Sequence, residues 1–210
     1  MYLTVSDTEP LPGAPPLPQE VVSPFEVRGG KIGDQLERTI ENAKRDGIRV
    51  SKQATGSQHA GQIGVANSNA WLEVVARLTP NREMVDVPVR YELLLNGALS
   101  REATYATLVH ELAHLYCGHL GTPNENWWPD RRGLSVSTRE FEAESVCYLV
   151  SGRAGIDNAS EEYLAGYMQQ HSTVPDISLE RVMTAAGLIE KMGLERLEPR
   201  KQKGRKHGFW

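Results

Sequence analysis

The stretch Thr107-Leu-Val-His-Glu-Leu-Ala-His-Leu-Tyr116 contains the pattern H-E-x-x-H at residues 110–114. On an α-helix, positions i and i+4 lie on one face with Cβ atoms about 5–6 Å apart. His110 and His114 can therefore both bind one Zn²⁺ at about 2.0–2.1 Å. Glu111 follows His110 directly, where its carboxylate can reach a water molecule held by the metal. The spacing predicts two zinc ligands, His110 and His114, with Glu111 as general base.

The residues around this pattern are apolar, and they predict a helix that is buried on nearly every side. Between Thr104 and Tyr116 the only charged residue is Glu111, and the apolar residues are Leu108, Val109, Leu112, Ala113 and Leu115. Burying a carboxylate such as Glu111 without a partner is costly. A metal ion with its water molecule would supply that partner. We therefore favour a metal site over two histidines that are satisfied within an apolar core.

The composition is that of an ordinary soluble domain. The chain has 210 residues, of which 40% are hydrophobic and 24% charged, and a net charge of −4. No apolar run approaches the roughly 18 residues that cross a membrane, and the N-terminal residues do not resemble a secretory signal. Two cysteines, Cys117 and Cys147, are too few for a disulfide framework and are expected to be small core residues. These features predict a cytoplasmic protein with no membrane partner, and they leave its oligomeric state open.

Both ends of the chain are predicted to be tails. Six prolines between residues 8 and 24 exclude regular helix and sheet, so residues 1–24 are predicted to form an extended, flexible tail. A proline-rich ligand for a partner is the alternative to a plain linker. Residues 200–210 are basic, and nucleic-acid binding through them would be weak at most, with a flexible end favoured. The domain is predicted to occupy residues 25–199.

One helix and two short strands are predicted in the first part of the domain. Apolar residues recur at helical spacing between residues 33 and 45, and Gly47 is a stop signal. The segments at residues 48–52 and 61–66 are short and rich in β-branched residues and glycine. Both are predicted to be strands, separated by a glycine-containing loop.

Two further strands are predicted before the helix with the H-E-x-x-H pattern. Residues 71–78 alternate like a strand, although their composition also suits a helix. From Val85 to Leu95 the alternation of apolar residues is the most regular in the chain, and it predicts one continuous strand. Asn96-Gly97 ends that strand, and Ser100 caps the following helix.

A long loop is predicted after that helix, and further helices follow it. The loop covers residues 122–137 and contains Trp127 and Trp128, which indicate an ordered segment that is either functional or simply pinned to the core. Ser178 is predicted to cap the last helix. The apolar stripe on that helix suits a core or a partner surface and consists of Val182, Met183, Ala186, Ile189 and Met192.

A zinc site that keeps one position open for water needs a third protein ligand. His119 lies nine residues after His110, which is the opposite face of a continuous helix. It also misses the metzincin spacing, which would require Gly at 117 and His at 120, where this chain has Cys117 and Leu120. His119 is therefore predicted to be structural unless the chain turns sharply at Gly118.

Glutamates near residue 140 are the remaining candidates for the third ligand. Glu140 and Glu144 share one helix face, which suits one carboxylate on the metal and one that orients a histidine ligand. Glu142 points elsewhere and is predicted to be solvated. Glu140 has an alternative role, because Ser137-Thr-Arg-Glu140 has the form of a capping box at the start of the helix.

The two motifs together resemble those of gluzincin metallopeptidases. His110-Glu-Leu-Ala-His114 followed by Glu140-Phe-Glu-Ala-Glu144 is similar to H-E-x-x-H followed by E-x-x-x-D/E. The closer resemblance is to the ImmA/IrrE family of cytosolic metallopeptidases and to the zincin-like C-terminal domain of ArdC-type antirestriction proteins. The second motif also resembles the third-ligand helix of anthrax lethal factor. The resemblance covers about residues 85–170, and it implies that Glu140 binds zinc and that Glu144 supports the site.

We therefore expect an α+β, zincin-like metallopeptidase domain. Its small, mostly antiparallel sheet would pack on the helix with the H-E-x-x-H pattern, and its C-terminal part would be helical. The expected activity is zinc-dependent hydrolysis of a peptide bond in a cytosolic protein, with a peptide added alongside the strand at Val85–Leu95. The alternative is a zincin-fold binding module of a mobile-element, phage-defence or antirestriction system. In that case DNA or protein is the partner and the metal is mainly structural.

Overall fold

The computed structural model describes residues 27–54, 59–170 and 173–200, and within these ranges the protein has an α+β architecture. Its helices are α1 (Gln35–Arg45), α2 (Arg101–Tyr116), α3 (Val136–Arg153), α4 (Ser160–Gln170) and α5 (Leu179–Leu194). Its strands are β1 (Ile48–Gln53), β2 (Gly61–Val65), β3 (Trp71–Arg77), β4 (Glu83–Pro88) and β5 (Tyr91–Asn96). No helix in these ranges is both long and apolar enough to cross a membrane. The predicted tail at residues 1–24 lies outside the described residues, as do residues 201–210.

Two helices begin, and one ends, at the capping and glycine residues that the sequence predicts. Ser100 Oγ accepts a hydrogen bond from the backbone N of Ala103 (3.2 Å) at the start of α2. Ser178 Oγ accepts one from the backbone N of Arg181 (3.3 Å) at the start of α5. After α1, Gly47 has a φ of +83°, a conformation that glycine adopts without steric cost. Both predicted caps and the predicted end of the first helix are confirmed, as are β1, β2 and β3.

The strands form two separate sheets. The first has three strands in the order β1-β5-β2, with β1 parallel to β5 and β2 antiparallel to it. The second is the antiparallel pair β3-β4. One small, mostly antiparallel sheet was predicted to pack on α2. The sheet that packs there has one parallel and one antiparallel pairing, and the second antiparallel pairing lies in the separate β3-β4 sheet. In the parallel pairing of β1 with β5, Ile48 at the start of β1 lies beside Tyr91 at the start of β5.

The prediction of one strand from Val85 to Leu95 is wrong. The segment divides into β4 and β5, and these strands belong to different sheets. Pro88 ends the first strand because it has no amide hydrogen for a continued ladder. Beyond it, the amide of Val89 donates to Ala70 O (2.9 Å) and the amide of Arg90 donates to Gly47 O (2.8 Å). The apolar alternation nevertheless runs through the break, because every second residue from Val87 to Leu95 is buried.

Helix α2 lies at the centre of the molecule and contacts β2, β5, α1, α3 and α5. From Ala103 to Tyr116 its residues are buried with two exceptions, His110 and His114. The predicted burial of this helix is confirmed. The two histidines are therefore the most accessible positions in that run of the helix.

The loop between α2 and α3 is anchored by Trp128. Its indole is 3% exposed, packs edge-on against Tyr116 and donates its Nε1 hydrogen to Gly121 O (2.9 Å). Arg200 stacks over Trp128 and also pairs with Asp46 (Nε–Oδ1 2.8 Å). The tryptophans thus hold the loop against the C-terminal end of α2, and the first residue of the predicted basic tail is part of that packing.

Candidate metal centre

His110 and His114 converge at the accessible strip of α2. Their Nε2 atoms are 3.2 Å apart, and their side chains are 21% and 15% exposed. The spacing of four residues brings the two rings to one side of the helix, as the sequence predicts. Both Nε2 atoms face α3, the helix that carries the candidate glutamates.

Glu140 on α3 brings a carboxylate oxygen to the same point. Its Oε2 lies 3.8 Å from His110 Nε2 and 3.6 Å from His114 Nε2. A tetrahedral Zn²⁺ with ligand atoms at about 2.0–2.1 Å would hold two of those atoms about 3.3–3.4 Å apart. The three observed separations, from 3.2 to 3.8 Å, bracket this value. The donor set of two imidazoles and one carboxylate therefore fits zinc in both chemistry and spacing.

Glu140 is not a capping residue. The N-cap of α3 is Ser135, whose Oγ accepts a hydrogen bond from the backbone N of Thr138 (3.1 Å). The helix therefore starts at Val136, earlier than predicted, and the proposed capping box beginning at Ser137 is wrong. Glu140 lies beyond the first turn, so its side chain is free to face α2.

Glu144 lies one turn further along α3 and contacts the other nitrogen of His110. Its Oε1 is 3.3 Å from His110 Nδ1. A histidine that donates from Nδ1 to a carboxylate has its Nε2 lone pair available for a metal. Glu144 thus orients His110 without joining the group of three donor atoms.

The charges of the site are coupled across the two helices. Burial depresses the pKa of His110, but the hydrogen bond to Glu144 and the nearby carboxylates outweigh it and raise that pKa above its usual value. The pKa of Glu140 is lowered chiefly by its hydrogen bond with His114. The pKa of Glu144 is lowered because its contacts with His110 overcome the opposing effect of burial. The site therefore favours ionised carboxylates facing the histidines.

Glu111 lies on the β2 side of the site. It is 9% exposed, and burial raises the pKa of its carboxyl group. The nearby histidines and a backbone hydrogen bond from Ile63 have the opposite, smaller effect on that pKa. Strand β2 passes so closely that a Cβ on Gly61 would lie 2.6 Å from Thr107 Cγ2 and 3.4 Å from Glu111 Cγ. Glycine at position 61 therefore allows the strand to pack directly against the carboxylate.

Glu142 is not solvated, contrary to the prediction. Its side chain is 0% exposed, and both of its oxygens accept hydrogen bonds from Arg131 (2.7 Å each). The backbone N of Ser178 donates to its Oε1 (2.7 Å). Burial alone would raise the pKa of Glu142, but the bonds from His119, Arg131 and Ser178 prevail and lower it to about 2. The prediction was wrong because this side of α3 is covered by α5 and by the loop before α3.

His119 is placed by a turn at Gly118. Gly118 has a φ of +88°, so the chain leaves the helix axis there and His119 folds back toward the site. His119 Nδ1 lies 3.0 Å from His114 Nδ1, and its Nε2 lies 2.9 Å from Glu142 Oε2. Burial lowers the pKa of His119, with Glu142 opposing that effect. His119 is therefore in contact with a candidate ligand and outside the group of three donor atoms.

Cys117, His119 and Glu142 form a second group of buried metal-type donors. The Arg131 guanidinium occupies both oxygens of Glu142, so a cation there would meet a fixed positive charge. Burial also raises the pKa of the Cys117 thiol to about 12, and the thiol rather than the thiolate is therefore present at neutral pH. These donors are better described as a structural ion-pair cluster.

A cavity of about 400 Å³ opens beside His110 and Glu111. His110, Glu111 and Glu144 form its polar side, and the lining contains no lysine or arginine among the described residues. Tyr163 on α4 also lines it and is 41% exposed. His59, Asn158 and Ser160 add further polar groups, and the remaining wall is made of small or apolar side chains, including Ala103, Ala106, Thr107 and Cys147.

No protein-family model matches this chain, and neither the curated proteins nor the solved structures include a significant match to it. The sequence indicated His110, Glu111, His114, Glu140 and Glu144 as a group. The structure brings donor atoms of His110, His114 and Glu140 together, and it places Glu111 and Glu144 with His110 in the lining of the adjacent cavity. Nothing in the sequence indicated that Arg131 and Glu142 form a buried cluster. The turn that places His119 could have been found, because a glycine directly before it is a signal for a turn.

Proposed function

We propose that this chain is a zinc-dependent metallo-endopeptidase with a zincin-like fold. The observation that carries the proposal is the convergence of His110 Nε2, His114 Nε2 and Glu140 Oε2 at spacings that fit zinc, directly beside Glu111. Three protein ligands leave one position of a tetrahedral ion open, which is typical of catalytic rather than structural zinc sites.

The metal and the protein divide the chemistry. Zn²⁺ bound by these three residues would act as a Lewis acid, lowering the pKa of water to about 7 and polarising a carbonyl group. Glu111 is the general base, because its carboxylate accepts a proton from the attacking water and returns it to the nitrogen of the leaving amine. The burial that raises the pKa of Glu111 makes the carboxylate a stronger base for this step.

The substrate is expected to be an extended peptide that adds to the free edge of β2. The β5 half of the predicted place, Val85–Leu95, is excluded because β5 has a strand on both sides, and the β4 half belongs to the separate β3-β4 sheet. The amide of Ala66 donates to Arg90 O (2.8 Å), so alternate residues of this segment face β5. The backbone groups of Gly61 and Val65 consequently face the edge that has no strand partner within the described ranges. Peptide addition there would carry a scissile bond past Glu111.

The cavity beside His110 would accept one side chain of such a peptide. Its walls carry no lysine or arginine among the described residues, and the carboxylates of Glu111 and Glu144 lie on the zinc side. His59, Asn158, Ser160 and Tyr163 add polar groups to a lining that is otherwise made of small or apolar side chains. An uncharged side chain is therefore the expected occupant.

The experiment is to measure zinc content and peptide cleavage on the same preparations. Purified protein is assayed for zinc by elemental analysis and incubated with a peptide library that is read by mass spectrometry. Glu111→Gln should keep its zinc and cleave at least about 100-fold more slowly. Glu125→Gln makes the same charge change at an exposed position of the loop and should behave like the wild type.

Two results would contradict the proposal. One is unchanged cleavage by Glu111→Gln, which would show that the general base lies elsewhere. The other is a zinc-loaded protein that cleaves no peptide and no candidate protein. In that case the binding-module interpretation, with a mainly structural metal, would replace the peptidase.

A further inference from the structure

The two histidines of the proposed site are held at Nδ1 in different ways. His110 Nδ1 faces a carboxylate directly, with Glu144 Oε1 at 3.3 Å. His114 Nδ1 faces another imidazole nitrogen, His119 Nδ1, at 3.0 Å. Two imidazole nitrogens form a hydrogen bond only when one carries the hydrogen and the other has a free lone pair.

The direction of this bond follows from the metal site. His114 can bind a metal through Nε2 only if that nitrogen has no hydrogen, so its hydrogen is on Nδ1. His114 Nδ1 then donates to His119 Nδ1, which places the hydrogen of His119 on Nε2. That Nε2 in turn donates to Glu142 Oε2 at 2.9 Å. In this series of hydrogen bonds, from His114 through His119 to Glu142, each nitrogen or oxygen is therefore assigned as either donor or acceptor.

Glu142, the last group in this series of hydrogen bonds, is held in a fixed position. Glu142 is 0% exposed and is bound by Arg131 through two hydrogen bonds of 2.7 Å and by the amide of Ser178. His119 is 2% exposed, so water does not compete for its ring nitrogens. The positive charge of Arg131 balances the negative charge of Glu142, and a neutral His119 between them and His114 needs no further counter-charge.

The backbone also holds the arrangement in place. A Cβ on Gly118 would lie 2.2 Å from Pro129 O, so the loop before α3 closes directly over the turn that directs His119. The amide of Arg131 donates to Gly118 O (2.9 Å), and its guanidinium donates to Cys117 O (3.1 Å). The same residue thus stabilises the turn and neutralises Glu142.

We propose that His119 is a positioning residue that holds His114 as an Nε2 metal ligand, and that Glu142 and Arg131 set its tautomer. This inference rests on the zinc site proposed above, but it does not depend on whether the site cleaves peptides. His119 itself does not bind the metal. Its contribution is to accept the Nδ1 hydrogen of His114 and so fix both the orientation and the basicity of that ligand.

Two substitutions separate this role from simple packing. His119→Asn keeps an oxygen where Nδ1 was, so it can still accept from His114, but it is too short to reach Glu142. His119→Gln keeps a donor where Nε2 was, so it can still bond Glu142, but it leaves nothing at the Nδ1 position. The two variants thus each retain one half of the chain of hydrogen bonds.

Zinc affinity is measured by competition with a chromophoric chelator, and thermal unfolding of each variant is followed without metal. His119→Gln should bind zinc about 10–100-fold more weakly than the wild type, because it loses the partner of a ligand. His119→Asn should stay within about threefold of wild-type affinity even if it unfolds at a lower temperature. If His119 were only a packing residue, the zinc affinity of each variant would follow its thermal stability, whichever hydrogen bond the variant keeps. That result would overturn the proposal.

A spectroscopic readout tests the tautomers directly. In zinc-loaded protein labelled with ¹⁵N-histidine, long-range ¹H–¹⁵N correlations should show His114 protonated at Nδ1 and His119 protonated at Nε2. His119 protonated at Nδ1, or at both nitrogens, would overturn the assignment. A protein with these tautomers and this affinity pattern that cleaves no peptide would contradict the peptidase alone. Equal zinc affinity in all His119 variants of an active enzyme would contradict the positioning role alone.

Discussion

Two groups of histidine and glutamate side chains meet between α2 and α3, and they differ in exposure and in counter-charge. Glu140 faces His110 and His114, with 39% of its side chain exposed and no ion pair to an arginine or lysine within the described residues. Glu142 is two residues further along, fully buried, and bound by Arg131 and His119.

The difference shows what makes a carboxylate available to a metal. A buried carboxylate has to be paired, and Glu142 is paired with an arginine that occupies both oxygens. Within the described residues Glu140 forms ion-pair contacts only with His110 and His114, whose Nε2 atoms are themselves candidate metal ligands. Residue type and helix position are nearly the same in the two cases. The neighbouring cation determines that one group is structural and the other is a candidate metal site.

The largest effect on folding is expected from the buried group. Glu142→Ala would leave the Arg131 guanidinium beside the core without its carboxylate, and should lower the free energy of unfolding by about 3–5 kcal/mol. Chemical denaturation of metal-free protein measures this. Glu162→Ala removes an exposed partner of Arg28 and should cost at most about 1 kcal/mol. Equal stability of the two variants would break the distinction between the groups.

The opposite pattern is expected for Glu140. Glu140→Ala removes one of three protein ligands. Loss of a residue that only supports a ligand typically weakens binding about 10–100-fold, and the zinc affinity of Glu140→Ala should fall by more than that. Its free energy of unfolding without metal should change little, because the side chain is partly exposed. Chelator competition on Glu140→Ala and the wild type gives the comparison. Retained zinc affinity would remove Glu140 from the ligand set.

A smaller effect is expected for Glu144, which contacts His110 and not the metal position. Glu144→Ala should weaken zinc binding by about 10–100-fold, less than Glu140→Ala does. The same competition assay ranks the two variants. If Glu144→Ala lost more zinc affinity than Glu140→Ala, the ligand and its supporting residue would have to be exchanged.

Features that depend on one segment were predictable from the sequence. The burial of α2 follows from the apolar residues around His110, and the caps at Ser100 and Ser178 are local hydrogen bonds. The convergence of His110 with His114 needs only the helical repeat. Selecting Glu140 required a resemblance, because residues 30 positions apart meet through the packing of two helices.

Features that depend on distant segments were not predictable. The division of Val85–Leu95 is hidden because the burial pattern continues through Pro88, and only the pairing partners change. Glu142 is buried by α5 and by Arg131, neither of which its own helix reveals. The direction of His119 depends on a loop that closes over Gly118, and helical spacing alone places that histidine on the wrong side.

A crystal structure of zinc-loaded protein, with data collected at the zinc absorption edge, tests the proposed ligand set most directly. We predict one anomalous peak, about 2.0–2.2 Å from His110 Nε2, His114 Nε2 and a carboxylate oxygen of Glu140. The proposed ligand set also requires that Arg131 remains bound to Glu142. A peak among Cys117, His119 and Glu142, or no peak at His110 and His114, would contradict it.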